Sequence, residues 1–149
     1  ALLGGRDAVT YEGQAAVELE QLAAPHASGA YPVAIDGGEG CVVQGPDLVR
    51  AVVEDLQQGS APEVVAARFH NSLVAVVVQV CRRIRDDSGL TTVALSGGVF
   101  QNVRLVDHLV GALGRAGFEV LTHQRVPPND GGISLGQAAV VGARDRGGA

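Results

Sequence analysis

Val93-Ala94-Leu95-Ser96-Gly97-Gly98-Val99-Phe100-Gln101-Asn102 is an apolar run that breaks at Ser-Gly-Gly and passes into a helical pattern. A strand that ends in two glycines before a helix brings bare backbone N–H groups to the helix N-terminus, where they can meet a phosphate. Twenty-five residues on, Pro127-Pro128-Asn129-Asp130-Gly131-Gly132 sets a carboxylate between a proline pair and a glycine pair, again just before a helix. Read together, the two stretches predict a pocket in which the turn after Leu95 and the acid at 130 converge on one ligand.

The surrounding pattern is α/β. Thr91–Leu95 reads as a buried strand, about Gln101 to Ala116 as a helix, Phe118–Leu121 as a second strand and Gly132–Arg144 as a closing helix, with a loop over Thr122–Asn129. Strand, helix, strand in that order predicts a crossover on a mixed or mostly parallel sheet. Leu105, Leu109, Val110 and Leu113 should face inward, and Gly117 should close the helix.

Upstream, Tyr11–Ala24 reads as a helix stopped by Pro25 and Gly29, with Ala15, Ala16, Leu19, Leu22 and Ala23 on one face. Val33–Ile35 and Cys41–Val43 are strand candidates around an Asp36-to-Gly40 turn. Leu48, Val49, Val52, Val53 and Leu56 mark an amphipathic helix that Pro46 can open and that ends near Gly59. Ser60 with Glu63 has the spacing of a capping box. It precedes a helix from Pro62 to about Asp87, roughly 39 Å long at 1.5 Å per residue. The middle of this helix is apolar almost all round, which predicts burial between layers. Arg146 to Ala149 reads as a frayed tail.

Composition narrows the class. The chain has 149 residues, 46% hydrophobic but only 3% aromatic, so one core of Val, Ala and Leu is expected. The net charge of −5 argues against a broad nucleic-acid surface. Cys41 and Cys81 form no metal or disulfide motif, and reduced buried thiols fit a cytoplasmic protein. No run reaches the roughly 18 uninterrupted apolar residues of a membrane span. The chain opens on Ala1-Leu2-Leu3-Gly4-Gly5 rather than Met, as a processed protein, a fragment or an excised domain would.

The candidate site residues each have a plainer alternative. Ser96, Gly97 and Gly98 suit phosphate approach, or a tight turn with no ligand. Asn102 can reach a ribose or base edge, or cap a helix. Asp130 can bind a divalent cation, or serve as an N-cap. Glu12 and Gly13 open the first helix, where an acid is favoured by the helix dipole alone. His70 reads as a satisfied core histidine, and His108 and His123 as surface or rim. Neither these nor His26 stands at metal-ligand spacing.

Tyr11-Glu12-Gly13-Gln14-Ala15-Ala16, Arg68-Phe69-His70-Asn71, Ser96-Gly97-Gly98-Val99-Phe100-Gln101-Asn102 and Pro127-to-Gln137 together resemble the C-terminal part of the hydrogenase-maturation carbamoyltransferases, the HypF family. The resemblance covers nearly the whole chain. It implies one lobe of an actin/Hsp70/sugar-kinase-like fold, residues 1–149 being the C-terminal half of a Kae1-like carbamoyltransferase domain. By the same resemblance, the parent enzyme makes carbamoyl-adenylate from carbamoyl phosphate and ATP. It passes the carbamoyl group to the C-terminal cysteine of a partner, HypE, on the way to the cyanide ligand of [NiFe]-hydrogenase. Ser96, Gly97, Gly98 and Asn102, with Glu12 and Gly13, would face the nucleotide. Asp130 would be the one ligand this half supplies to an Fe or Zn ion, with Mg as the alternative. The remaining ligands, a HxxxH pair and another acid, would come from the missing N-terminal lobe. The related tRNA threonylcarbamoyltransferases carry a similar glycine turn, typically with Ala where this chain has Phe100 and Gln101, and O-carbamoyltransferases are a third relative. A non-catalytic nucleotide-binding or interaction module is the competing reading.

Overall fold

The computed structural model describes residues 2–5, 8–37 and 40–147. Its organising element is a helix, α3 (Pro62–Ser88), which packs against α1 (Gln14–Leu22), α2 (Gly45–Gln57) and α4 (Val103–Arg115). Proline in its first turn needs no amide partner, and Gly89 stops it in the left-handed region at φ 75°, its N–H returning to Arg85 O. By length and hydropathy alone α3 passes for a membrane span. It is instead flanked by three helices, with its buried face running through Val65, Ala66, Ala67, His70 and Ser72.

Two clusters divide the interior. At one end Ala66 and Ala67 of α3 meet Ala23, with Leu19 and Leu22 of α1 beside them; side chains this small let the two helices close on each other. At the other end Leu105, Leu109 and Leu113 of α4 pack with Leu95 and Phe118 against Leu73, Val74, Val77 and Val78 of α3. The i, i+4 spacing of the three α4 leucines puts them on one stripe. Val110, expected inward, is off that stripe and exposed.

The sheet is a parallel pair, β3 (Thr92–Leu95) with β4 (Glu119–Thr122), joined by the α4 crossover. The register pairs Thr92 with Glu119 and Leu95 with Thr122. A Schellman turn sets the return: Gly117 at φ 86° donates to Gly114 O and Phe118 N–H to Leu113 O, while Phe118 and Leu113 share the core. Arg85 caps the same corner, donating to Ala116 O at 2.7 Å with its guanidinium 4.6 Å from the Phe118 ring centroid. A separate antiparallel ladder joins β1 (Ile35–Asp36) to β2 (Val42–Val43). Asp36 therefore belongs to a strand rather than to the turn; Gly38 and Glu39 of that turn lie outside the described residues. The last helix, α5 (Ile133–Gly147), continues past Arg144 through the residues expected to fray, and Gly148 and Ala149 lie outside the described residues.

Three local expectations are corrected. Ser60 does not cap α3. Ala61 occupies the N-cap with no side-chain bond, and the Ser60 hydroxyl donates to Asp55 Oδ1 at 2.5 Å. Helix α1 starts at Gln14, so Glu12 precedes its first turn. Cys41 is exposed; only Cys81 is partly covered, and burial pushes its thiol pKa up.

Asp55 is the hub of a partly buried ionic network. Its carboxylate accepts from Ser60, from Tyr31 Oη at 2.6 Å and from Arg68 Nη1 at 2.7 Å. This ties α2, α3 and the 25–34 loop together. The hydrogen bond from Ser60, then those from Tyr31 and Arg68, hold its pKa down at about 2 against an ordinary 3.8. Burial and the adjacent Asp55 charge push the Tyr31 phenol in the opposite direction, upward. A carboxylate with a depressed folded pKa stabilises the fold fully above its unfolded value and loses that contribution as pH falls through the folded one. Acid titration of the melting temperature should therefore fall between pH about 4 and about 2, and Asp55→Asn should flatten that limb. Leu109→Ala, at a fully buried position, should lower the unfolding free energy by about 3 kcal/mol in denaturant titration.

Candidate functional site

The two glycine-rich stretches meet. The Gly97 amide donates to the Pro128 carbonyl at 2.8 Å, which draws the turn after β3 and the loop before α5 together at the carboxyl end of the parallel strands. That end is where open α/β sheets bind their ligands. Gly97 adopts φ 107° and ψ 162°, a region closed to residues with a Cβ, so the turn itself requires this glycine. Gly98 differs. Its φ is not positive, and a Cβ added there would meet nothing within 4 Å.

Residues Gly98–Gln101 form a single 3₁₀ turn, with Phe100 N–H bonded to Gly97 O and Asn102 N–H to Val99 O. The amides of Gly98 and Val99 precede the first carbonyl that the turn can offer them. The helix proper begins at Val103, not Gln101. Asn102 is its N-cap: Oδ1 accepts from Leu105 N–H at 2.7 Å, and Nδ2 donates to His70 Nε2 at 3.1 Å. His70 Nδ1 in turn donates to Ala66 O at 2.7 Å. The capping alternative thus holds for the Asn102 side chain, and His70 is the satisfied core histidine expected. One turn along α4, burial and the charge of Arg104 hold His108 below the usual histidine range.

In the facing loop, Asn129 rather than Asp130 caps the following turn, its Oδ1 accepting from Gly131 N–H at 3.1 Å. Asp130 opens the 3₁₀ turn Asp130–Gly132, and its exposed carboxylate takes no hydrogen bond or ion pair among the described residues. The glycines behind it are needed for space: a Cβ on Gly132 would lie 2.8 Å from the Pro127 carbonyl, and one on Gly131 3.0 Å from Pro127 Cγ. The loop is folded hard against itself, and the acid is left pointing away from any internal partner.

His123, read as a rim residue, proves to be part of this corner. Its Nε2 lies 2.9 Å from Ser96 Oγ. Both residues sit one position past their strands, continuing the register that pairs Leu95 with Thr122. The separation of 27 is the same as that of the bonded Thr92 and Glu119 side chains. The strand register is the signal that finds His123, and it is a tertiary quantity.

Glu12 and Gly13 stand at the start of α1. Gly13, at φ 82°, is the N-cap of α1. It is the other end of α1 that touches α4, Glu20 accepting from the Arg104 amide at 3.1 Å. Seven residues of helix, roughly 10 Å, separate the two ends. Among the described residues no hydrogen bond joins Glu12 or Gly13 to the turn at 96–102 or the loop at 127–132.

The corner offers amides for an anion, a hydroxyl with its imidazole and one carboxylate for a cation. Among the described residues no group of three His, Cys, Asp or Glu is assembled. A divalent ion fits here only as one that Asp130 helps to hold while other chains or segments complete its coordination.

The chain is similar to proteins much longer than itself. The chain is 36% identical to the carbamoyltransferase HypF of Synechocystis over 138 residues and 38% identical to that of Rhodobacter capsulatus over 135. Each alignment takes in 91% of this chain and 17% of the relative. It superposes on full-length HypF, crystallised in a phosphate- and nucleotide-bound form, with a TM-score of 0.89 at 40% identity, over 93% of this chain and 18% of that one. On T. kodakarensis HypF the score is 0.77 at 26% identity, over 97% and 18%. The chain therefore spans less than a fifth of these relatives. Residues 1–137 match the family model for the second subdomain of the carbamoyltransferase Kae1-like domain. With that match added to the corner formed by Ser96-Gly97-Gly98 and Pro128-Asn129-Asp130, the chain belongs to the HypF carbamoyltransferase family, as the second subdomain of its Kae1-like domain.

Proposed function

We propose that this chain is the nucleotide-facing half of a carbamoyltransferase site, and that Gly98 marks where the nucleotide lies. The observation that carries this is the contrast between the two glycines of the turn. Gly97 is demanded by its backbone angles, whereas nothing in the chain's own packing demands Gly98. A residue left bare without an internal reason, beside amides with no partner in their own turn, suits the close approach of a phosphate. The similar full-length HypF was crystallised with phosphate and nucleotide, which supports the same reading.

In this proposal the parent enzyme forms carbamoyl-adenylate from carbamoyl phosphate and ATP: water cleaves carbamoyl phosphate to carbamate and phosphate, and the carbamate oxygen attacks the α-phosphorus of ATP with release of pyrophosphate. The carbamoyl carbon is then attacked by the C-terminal cysteine thiolate of HypE, and AMP departs. The amides of Gly98 and Val99 and the Ser96 hydroxyl would hold phosphate oxygens. Asn102 would act through the helix it caps. Glu12 and Gly13 would face the nucleotide from the start of α1. Asp130 would hold one face of a divalent ion (Fe or Zn, or else Mg), which when bound supplies Lewis-acid polarisation of the carbamoyl carbonyl.

The preceding lobe of the same enzyme completes the pocket in this reading. Helix α5 supports it: Ile133, Leu135, Val140 and Val141 are all more than half exposed, and among the described residues the helix has no buried side chain. An apolar helix left open in this way is a packing surface. A cytoplasmic location, without nucleic-acid or membrane partners, belongs to the same proposal and rests on the two free cysteines and the acidic net charge.

The test uses the full-length parent enzyme. Gly98→Val should raise the nucleotide KM by about tenfold or more, since one lost charge-assisted contact is worth that much, and should leave the melting temperature unchanged. An unaltered KM would refute the reading. Asp130→Ala should abolish carbamoyl transfer and lower the bound-metal content measured by elemental analysis, again without loss of stability. The isolated 149-residue chain should turn over no carbamoyl-adenylate.

A further inference from the structure

His123, bonded to the Ser96 hydroxyl, has no role in the reading above. Both residues lie one position beyond the carboxyl ends of β3 and β4, in register, with Nε2 and Oγ 2.9 Å apart. Ser96 leads directly into the turn whose Gly97 amide is already taken by Pro128 O. Of the polar groups at the start of this turn, the Ser96 hydroxyl is therefore the only side chain, and its direction is set by the imidazole.

We infer that His123 is a positioning residue for the nucleotide phosphate. Its Nε2–H donates to Ser96 Oγ, so the Ser96 O–H is left free to donate outward, beside the Gly98 and Val99 amides. A hydroxyl that both accepts and donates along such a chain is polarised, and its bond to an anionic oxygen is strengthened. Were Nε2 the acceptor instead, the hydroxyl proton would be turned inward and only lone pairs would meet the phosphate. The ligand itself selects the donating tautomer, because only that arrangement presents a proton to a negative oxygen. No group changes oxidation state and no bond to carbon forms or breaks; the pair orders an existing donor. This inference rests on the reading of the glycine turn as the nucleotide site.

Steady-state kinetics of the full-length enzyme with ATP varied tests it. His123→Ala should raise the KM for ATP about tenfold with kcat changed far less. His123→Gln, whose terminal amide can put an N–H near the Nε2 position, should recover most of the loss. Ser96→Ala should match His123→Ala, and the double variant should be no worse than either single one, since both remove the same chain of donors. Additive losses in the double variant overturn the inference, as does a His123→Gln variant as impaired as the alanine. An unchanged KM in His123→Ala overturns it too. If Gly98→Val has raised KM in the same assay, that outcome removes His123 alone. If Gly98→Val is also silent, the nucleotide reading falls with it.

Discussion

The hydrogen bond from the Gly97 amide to the Pro128 carbonyl is the constraint on which this end of the molecule depends. It joins two loops separated by about thirty residues of chain and places a bare turn next to an unpartnered carboxylate. Both partners are backbone atoms, so the juxtaposition depends on shape rather than on any particular side chain. The residues around it serve that shape: Gly97 by its angles, Gly132 by the space it leaves for the Pro127 carbonyl, and Asn129 by capping the turn that Asp130 opens.

Behind the corner, the scaffold is held by three kinds of force. The α4 leucines and Phe118 bury apolar surface against α3 and so fix the helix that follows the turn. Asn102 links that helix to His70 and through it to the α3 backbone, so the start of α4 is tied to the centre of the fold by a satisfied polar chain. Further away, Asp55 gathers Ser60, Tyr31 and Arg68 and closes the other end of the structure. The site is thereby mounted on rigid elements, while α5 and the carboxyl ends of the strands remain open to whatever completes them.

Much of this was legible in the residues. The α/β order, the parallel pair, the long helix from Pro62, Gly117 as the stop of α4 and His70 as a core histidine all follow from local patterns, because periodicity and turn chemistry act over a few residues; the burial expected of that helix's apolar middle did not hold, its buried residues lying between Val65 and Ser72. The errors were local as well. Ser60-to-Glu63 has the spacing of a capping box, but the Ser60 hydroxyl found a stronger acceptor in a buried carboxylate five positions back. Val110 is apolar and near the inward stripe, but the stripe is set by contact with α3, and Val110 falls outside it. Asp130 looked like a cap because it precedes a helix; its neighbour Asn129 takes that role and frees it.

The chain alone therefore determined which segments are helix and strand and which residues are candidates for phosphate or metal chemistry, since these depend on propensities and on groups covalently close together. Tertiary structure alone decided that the glycine turn and the loop carrying Asp130 are joined backbone to backbone and that His123 stands against Ser96. Those outcomes depend on strand register and on how helices stack. Both are settled by the sum of many weak contacts between residues distant in sequence, which no local pattern records.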